Sequence, residues 1–164
     1  MSVKALLAFA AVALTAFSAL APAARAQDPA ASTAACAGQP GPARLNVVVD
    51  GLRDARGQVV ITLYPDDAKR FLVHKGKLNL VRVDAVMPAT SACLWLPAPG
   101  WYAVAVYHDA NGSHKFNRNA LGLPTEGFGL SNNPALALAW PTLGSARFQT
   151  HAGENTIHIR LRYL

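Results

Sequence analysis

The side chains best suited to chemistry are concentrated in residues 101–133 of this chain. There a strand-like stretch, WYAVAVYHD, leads into a long polar loop, ANGSHKFNRNALGLPTEGFGLSNN. Loops of this length inside a compact domain are uncommon unless they bind a ligand or are held by their own side chains. The residues that could play either part are His108, Asp109, Asn111, Asn117, Glu126, Ser131, Asn132 and Asn133.

Part of this loop follows the spacing of a calcium-binding loop. Oxygen-bearing side chains stand at its first, third, fifth and ninth positions, namely Asp109, Asn111, Ser113 and Asn117. However, the sharp-turn position holds His114 in place of glycine, and the twelfth position holds Ala120 in place of a bidentate acid. Glu126 is the acid that could return as a remote ligand. The alternative function is therefore a calcium-dependent structural or weakly hydrolytic module centred on Asp109, Asn111 and Glu126, and no other cofactor is expected.

The same residue types also hold loops together without any ligand. Asp and Asn side chains accept hydrogen bonds from nearby backbone N–H groups in turns. Tyr102, Val104 and Val106 share a strand face with His108, so the imidazole is expected at the end of a core-facing row, where one ring nitrogen needs a backbone or carboxylate partner. The leading expectation is a loop latched by its own polar side chains, with its surface free to bind a partner.

A catalytic site is harder to assemble from these residues. His108, Asp109 and Glu126 could form a general acid/base group, and Ser131 could be a nucleophile. Successive residues of a strand point to opposite faces, however, which separates His108 from Asp109. The chain has no G-x-S-x-G, H-E-x-x-H or P-loop motif. We therefore expect a noncatalytic protein.

The N-terminus has the pattern of a secretory signal peptide. Lys4 precedes the apolar residues 5–20, and the small-residue motif A-R-A at 24–26 predicts cleavage before Gln27. The rest of the chain has no second apolar run long enough to span a membrane. Without residues 1–26, the length is typical of a single domain. We expect a periplasmic or extracellular protein.

Charge and aromatic content narrow the expected partners. The formal net charge of +6 comes from scattered basic residues, whereas nucleic-acid binding requires a clustered basic face. Trp95, Trp101 and Trp140 could form a platform for sugar or peptide if they are exposed, although packing within the domain is the simpler role. The expected partner is an envelope polymer, a peptide or another protein, and the chain is expected to be a monomer.

Two cysteines, Cys36 and Cys93, remain after signal cleavage. An even number of cysteines in an exported protein favours a disulfide bond, and the alternative is two buried free thiols. Cys36 lies in residues 27–43, a tail of small residues, Pro and Gly that we predict to be flexible. Cys93 lies in a predicted strand, SACLWL, so the bond would fix the tail to a sheet.

From residue 44 to the C-terminus, short strands and turns alternate. LNVVVDGL and QVVITLY place apolar residues at every second position and predict a hairpin, whereas PDDAKRFLV predicts a short helix. Further strands are predicted at residues 78–85, 92–96, 101–108, 146–150 and 155–163. About seven short strands without helical crossovers favour one all-β domain, an antiparallel β-sandwich, over a barrel or an α/β fold.

Several of these segments together carry a family signature. The hairpin sequence LNVVVDGLRDARGQVVITLY is followed by LPAPGW, then by a His-Asp-x-Asn step, Leu-Gly-x-Pro-x-Glu-Gly and Ser-Asn-Asn. From about Leu45 to the C-terminus the chain resembles an exported bacterial family known as domain of unknown function 2141. The resemblance implies a compact immunoglobulin-like or transthyretin-like sandwich, and it implies no activity.

Overall fold

Short strands dominate the computed structural model, which describes residues 35–135 and 141–164. These residues form β1 (Ala43–Asp50), β2 (Gln58–Pro65), β3 (Asn79–Asp84), β4 (Ala89–Leu96), β5 (Gly100–Asp109), β6 (Phe128–Leu130), α1 (Leu143–Ala146), β7 (Phe148–Thr150) and β8 (Gly153–Arg160). None of the helical structure within those ranges is long and apolar enough to cross a membrane. The predicted signal peptide and Trp140 lie outside the described residues.

The strands form two sheets packed face to face, which confirms the predicted all-β sandwich. One sheet has the order β4-β1-β8, and the other has the order β3-β2-β5-β6, with β7 also pairing with β5. Eight strands are present where about seven were expected. The β1–β8 ladder is parallel, unlike the other ladders between the named strands. The chain enters β8 from β7 in the opposite sheet, so no hairpin imposes an antiparallel direction on it.

Alternate residues of the strands form the core between the sheets. Leu45, Val47 and Val49 of β1 are fully buried in one cluster with Ile61 of β2 and Val104 of β5. The row of inward residues on β5 continues to His108, as the alternation predicts. Burial of these apolar side chains is the main source of stability in the sandwich.

The predicted hairpin between the first two strands is wrong. β1 pairs with β4 and β8, whereas β2 pairs with β3 and β5 in the other sheet. Both strands direct apolar side chains into the same interior, so their alternation fits packing across the core as well as pairing side by side. Residues 51–57 therefore carry the chain from one sheet to the other.

The predicted helix at residues 65–73 is also wrong, because this segment forms consecutive turns. The N–H groups of Arg70 and Phe71 both donate to the carbonyl oxygen of Asp67. Leu72 then adopts a φ of 57°, in the left-handed region. A right-handed helix cannot continue through that conformation.

The segment predicted as a loop, residues 109–133, contains the short strand β6, which pairs with β5. The N–H and carbonyl groups of Phe128 exchange hydrogen bonds of 2.9 Å with those of Arg162, which follows β8. This bridge joins an edge of one sheet to the chain leaving the other sheet. A strand of three residues is too short for alternation to reveal it.

The predicted disulfide between Cys36 and Cys93 is confirmed, with Cα atoms 4.4 Å apart. The tail predicted to be flexible is held at this point. Ala37 donates its N–H to the carbonyl of Cys93 (2.8 Å) and accepts from the N–H of Trp95 (2.9 Å). The tail therefore adds a short bridge to the outer edge of β4.

We predict that replacing both cysteines, C36S/C93S, lowers the free energy of unfolding by about 4 kcal/mol, because a closed loop of this size restricts the unfolded chain. The two residues are separated by 57 positions in sequence. Urea unfolding with and without reductant measures the loss. Reductant should destabilise the unmodified protein and leave the double variant unchanged. Equal stability of both proteins under oxidising conditions would contradict a structural role for the bond.

Candidate functional site

The carboxylate of Asp109, at the end of β5, is fully buried. Its Oδ1 accepts hydrogen bonds from the backbone N–H (2.9 Å) and the hydroxyl (3.3 Å) of Ser113. Its Oδ2 accepts from the N–H of His114 (2.8 Å), a residue whose φ of 61° is uncommon outside glycine. Hydrogen bonds to a charged acceptor are strong, and here they offset the burial of the charge.

Asn117 connects this turn to Glu126. Its Nδ2 donates to Ser113 Oγ (2.7 Å) and to Glu126 Oε1 (3.0 Å), while its backbone N–H donates to Glu126 Oε2 (3.1 Å). Thr125 donates its N–H to the carbonyl of Asn117 (3.1 Å). The two ends of the polar loop are therefore held together by a network that begins at Asp109.

The residues considered as calcium ligands do come together, but the side-chain oxygens of Asp109, Asn111 and Ser113 accept hydrogen bonds from donors of the loop. Asn111 Oδ1, for example, accepts from the N–H of Ser113 at 3.1 Å. Calcium requires several oxygens that converge on one point. The described part of the chain contains no group of three or more His, Cys, Asp or Glu side chains able to hold a metal ion. This geometry favours a latch over a cation site, where the latch is the hydrogen-bonded network of Asp109, Ser113, Asn117 and Glu126.

Burial raises the pKa of Glu126 above its ordinary value. The hydrogen bonds from Asn117 act in the opposite direction without cancelling this effect, and the nearby charge of Asp109 raises the pKa further. The residue is only 8% exposed. Glu126 is therefore an ionisable group inside the latch, and its proton is bound more tightly in the folded protein than in the unfolded chain.

The imidazole of His108 joins three distant parts of the chain. Its Nε2 lies 2.7 Å from the carbonyl oxygen of Arg56, and its Nδ1 lies 2.8 Å from the hydroxyl of Tyr163. A carbonyl only accepts, so Nε2 carries the proton, and in the neutral ring Nδ1 accepts from the tyrosine. The Tyr163 oxygen also accepts from the N–H of Arg53 (3.2 Å). Both ring nitrogens thus have structural partners: the backbone carbonyl at Nε2 is of the kind that the sequence predicted, whereas the tyrosine hydroxyl at Nδ1 was not predicted.

Ser131 and Asn132 fix the chain after β6. Ser131 is fully buried; its hydroxyl accepts from the N–H of Val104 (2.9 Å) and donates to the carbonyl of Ala146. Asn132 donates its side-chain amide to the carbonyl of Arg147 (2.6 Å). The Ser131 hydroxyl, considered above as a nucleophile, therefore contacts backbone groups of β5 and α1.

The side chain of Asn133 forms hydrogen bonds with the edge of β8, as the backbone of a neighbouring strand would. Its Nδ2 donates to the carbonyl of His158 (2.9 Å), and its Oδ1 accepts from the N–H of Arg160 (2.8 Å). These are the backbone groups that β8 presents at its outer edge. The side chain thus satisfies an exposed strand edge.

A groove of about 680 Å³ lies on the outer face of the larger sheet. Its volume is within the range of small-molecule sites. Five aromatic residues line it, and they come from three strands, a turn segment and the latched loop. The described lining residues are Thr62, Tyr64, Ala68, Phe71, Leu72, Ala105, Val106, Tyr107, Phe116, Arg118, Pro124, Phe128, Gly129, Leu130, Pro141, Thr142 and Leu143.

The aromatic rings form two groups at opposite ends of this groove. Tyr64 and Phe71 meet edge to face, with ring centroids 5.6 Å apart. Phe116 contacts both Tyr107 (5.4 Å) and Phe128 (5.9 Å). Phe116 lies one residue before Asn117, so the latch fixes the position of this wall. The polar loop and the apolar groove are therefore parts of one site.

The outer face of the larger sheet has a signal in the sequence that was not among the predictions. β2 is buried along almost its whole length on both faces. Its outward residues, Val60, Thr62 and Tyr64, are as buried as its inward ones, and Ala103 and Ala105 occupy the same face of β5. A continuous apolar run such as VVITLY indicates a strand covered on both sides.

Of the tryptophans, the structure describes Trp95 and Trp101, and both lie away from this groove. Trp95 is half-buried beside the tail, with the guanidinium of Arg44 5.8 Å from its ring centroid. Trp101 is exposed, and Arg147 lies 5.0 Å from its ring centroid. Neither lines the groove.

The fold and the groove together define a β-sandwich with a ligand-sized apolar site on one outer face. The family model described as "Uncharacterized protein conserved in bacteria (DUF2141)" matches residues 47–158. This match covers more than half of the chain, so the protein belongs to that family, as the sequence signature predicted. No curated protein matches the chain, and no solved structure matches it.

The latch predicts the effect of removing Asp109. D109A leaves the donors of Ser113 and His114 without their acceptor, so we expect a loss of about 1–3 kcal/mol in the free energy of unfolding. The loss should be equal in calcium and in chelator, whereas loss of a metal ligand would destabilise the protein mainly in calcium. D109N, which keeps one acceptor oxygen, should lose less. Unchanged stability of D109A in both buffers would contradict the latch.

The raised pKa of Glu126 predicts a specific pH dependence. A carboxyl group whose folded-state pKa is raised stabilises the fold most when it is protonated. The stability of the unmodified protein relative to E126Q should therefore fall as the pH rises from about 4 to about 7. Chemical denaturation at a series of pH values measures this difference, and E154Q, at an exposed position, is the matched control. A difference that increases with pH would mean that the Asn117 hydrogen bonds outweigh burial.

Proposed function

We propose that this protein is an exported, noncatalytic binding module that takes an apolar ligand into the groove on the outer face of its larger sheet. The observation that carries the proposal is a ligand-sized groove lined by five aromatic side chains. Exposed apolar concavities of this kind are typical of binding sites. Export rests on the N-terminal signal sequence.

The contacts of the polar loop support a positioning role rather than catalysis. Asp109, Asn117 and Glu126 bond to one another or to the loop backbone, and both nitrogens of His108 are engaged elsewhere. These residues hold Phe116 against the groove. In this proposal the loop binds through the apolar wall that its polar side chains position.

The floor of the groove consists of small side chains between the two aromatic groups. By strand register, Thr62 pairs with Ala105, Tyr64 lies two residues further along β2, and Tyr107 lies two residues further along β5 in the opposite direction. The two aromatic groups are therefore four strand residues apart, a distance of about 13 Å. This floor is long enough for an extended apolar group.

The groove predicts that A105F blocks binding, because the added ring occupies the floor. The neutral fluorescent probe N-phenylnaphthylamine reports entry into an apolar site. We expect its affinity to fall about tenfold or more in A105F, since overfilling a packed site costs at least one kcal/mol or so. F116A, which removes part of a wall, should also weaken binding.

A152F is the matched control, since Ala152 is exposed and does not line the groove. It should bind the probe as the unmodified protein does. Circular dichroism and melting of each variant separate loss of the site from loss of the fold. Equal binding of the probe by A105F and the unmodified protein, with both folded, would contradict the proposal.

A further inference from the structure

We propose that the ligand of this groove is a single-chain anionic amphiphile, such as a monomeric long-chain carboxylate, whose head lies at the end marked by Arg118. This inference rests on the proposed binding function and adds the chemical class of the ligand. It follows from the hydrogen-bonding capacity of the groove, its shape and its charge.

The floor offers an occupant few hydrogen-bonding groups. β2 pairs with β3 and β5, and β5 pairs with β2 on one side and with β6 and β7 on the other, so the backbone groups of these ladders bond to each other. An extended peptide binds a sheet through a free strand edge, which this face does not present. A peptide or sugar lying here would lose hydrogen bonds to water without replacing them. A hydrocarbon chain makes no hydrogen bonds to water, so it loses none when it enters the groove.

The environment of the groove is also apolar. Tyr64 is buried and Tyr107 is half-buried, and this burial raises the pKa of both above the ordinary value. Burying an alkyl chain in such a site is favourable in proportion to the area removed from water. The floor at Thr62 and Ala105 spans two neighbouring strands, a spacing of about 5 Å, which suits one alkyl chain lying along the strands.

Charge distinguishes the two ends. Arg118 is the charged residue among the described lining residues; its guanidinium lies 5.1 Å from the ring centroid of Phe116 and donates to the carbonyl of Gly122 (2.9 Å). Arg82 adds positive charge next to Tyr107. The carboxylates of Asp109 and Glu126 lie near the same end but are buried and bonded to loop donors. A head group at this end therefore meets cations first.

The rim beside Arg118 is apolar as well. Leu121 is 83% exposed and Leu123 is 48% exposed. Asn119 Oδ1 accepts hydrogen bonds from the backbone N–H groups of both leucines, at 2.9 Å and 3.0 Å, so these side chains are held outward by a fixed turn. Apolar side chains displayed beside an apolar groove suit an amphiphile that enters from solution.

The test compares three ligands with the same alkyl chain, all below the concentration at which they form micelles: decanoate, decanol and decyltrimethylammonium. Each competes with N-phenylnaphthylamine for the purified protein. We expect decanoate to bind about fivefold more tightly than decanol, as one partly exposed charge pair allows, and the cation to bind most weakly. Raising the salt concentration should reduce the preference for decanoate.

Variants of Arg118 assign the preference to this residue. R118Q should bind decanoate and decanol alike, with both affinities calculated from the affinity of this variant for the neutral probe, and R118K should retain the preference. R160Q is the matched control, because it removes the same charge from an exposed position on the smaller sheet, and it should behave as the unmodified protein.

The possible outcomes separate the two proposals. If the probe does not bind, or binds A105F as well as the unmodified protein, the groove itself is not the site and the binding function fails. If the probe binds the groove but the three ligands compete equally, or the cation or an apolar peptide competes best, the function stands and the anionic class is overturned. Preference for decanoate that persists in R118Q would also overturn this inference.

Discussion

The buried carboxylate of Asp109 is the interaction on which the loop and the groove depend. A carboxylate with no exposure is stable only if its oxygens are bonded, and the donors come from the two residues that follow the glycine turn, Ser113 and His114. Satisfying this charge determines where the loop turns back. Asn117 and Glu126 extend the same network, and Phe116 is positioned between its members. An electrostatic requirement at the end of β5 thus places an aromatic ring on the outer face of the sheet.

The second constraint is that β5 packs into the core on its inner face and forms part of the groove on its outer face. Its inward residues belong to the sandwich core. Among its outward residues, Ala103 is buried, whereas Ala105 and Tyr107 are half-buried and line the groove. The edge beside β6 is closed by the Phe128–Arg162 bridge and by the amide of Asn133, which joins the two sheets. The close approach at Gly127 is part of this closure, because a Cβ atom there would lie 2.3 Å from the ring of Tyr163.

Together these features explain how a protein from a family without an assigned activity can carry a candidate binding groove. In the sequence its polar residues resemble a catalytic or metal-binding group, but in the structure they support an apolar surface. The chemical character of the site is therefore set by Tyr64, Phe71, Tyr107, Phe116 and Phe128, which a search for catalytic or metal-binding patterns would pass over. Only Arg118 gives the described lining a charge.

The sequence by itself determined the features that depend on local residue patterns or on the number of residues of one type. Alternation predicted most strands and the inward row ending at His108. The cysteine number and the expected export predicted the Cys36–Cys93 bond, and the abundance of Asp and Asn predicted a latched loop. Tertiary structure decided what depends on distant partners. Contacts between remote segments settled three features. They decided whether β1 paired with β2 or packed across from it, and whether residues 65–73 continued as a helix past Leu72. They also decided whether residues 128–130 became a strand. The groove belongs to the same class, because its walls come from segments far apart in sequence, and no local pattern specifies which of them will meet.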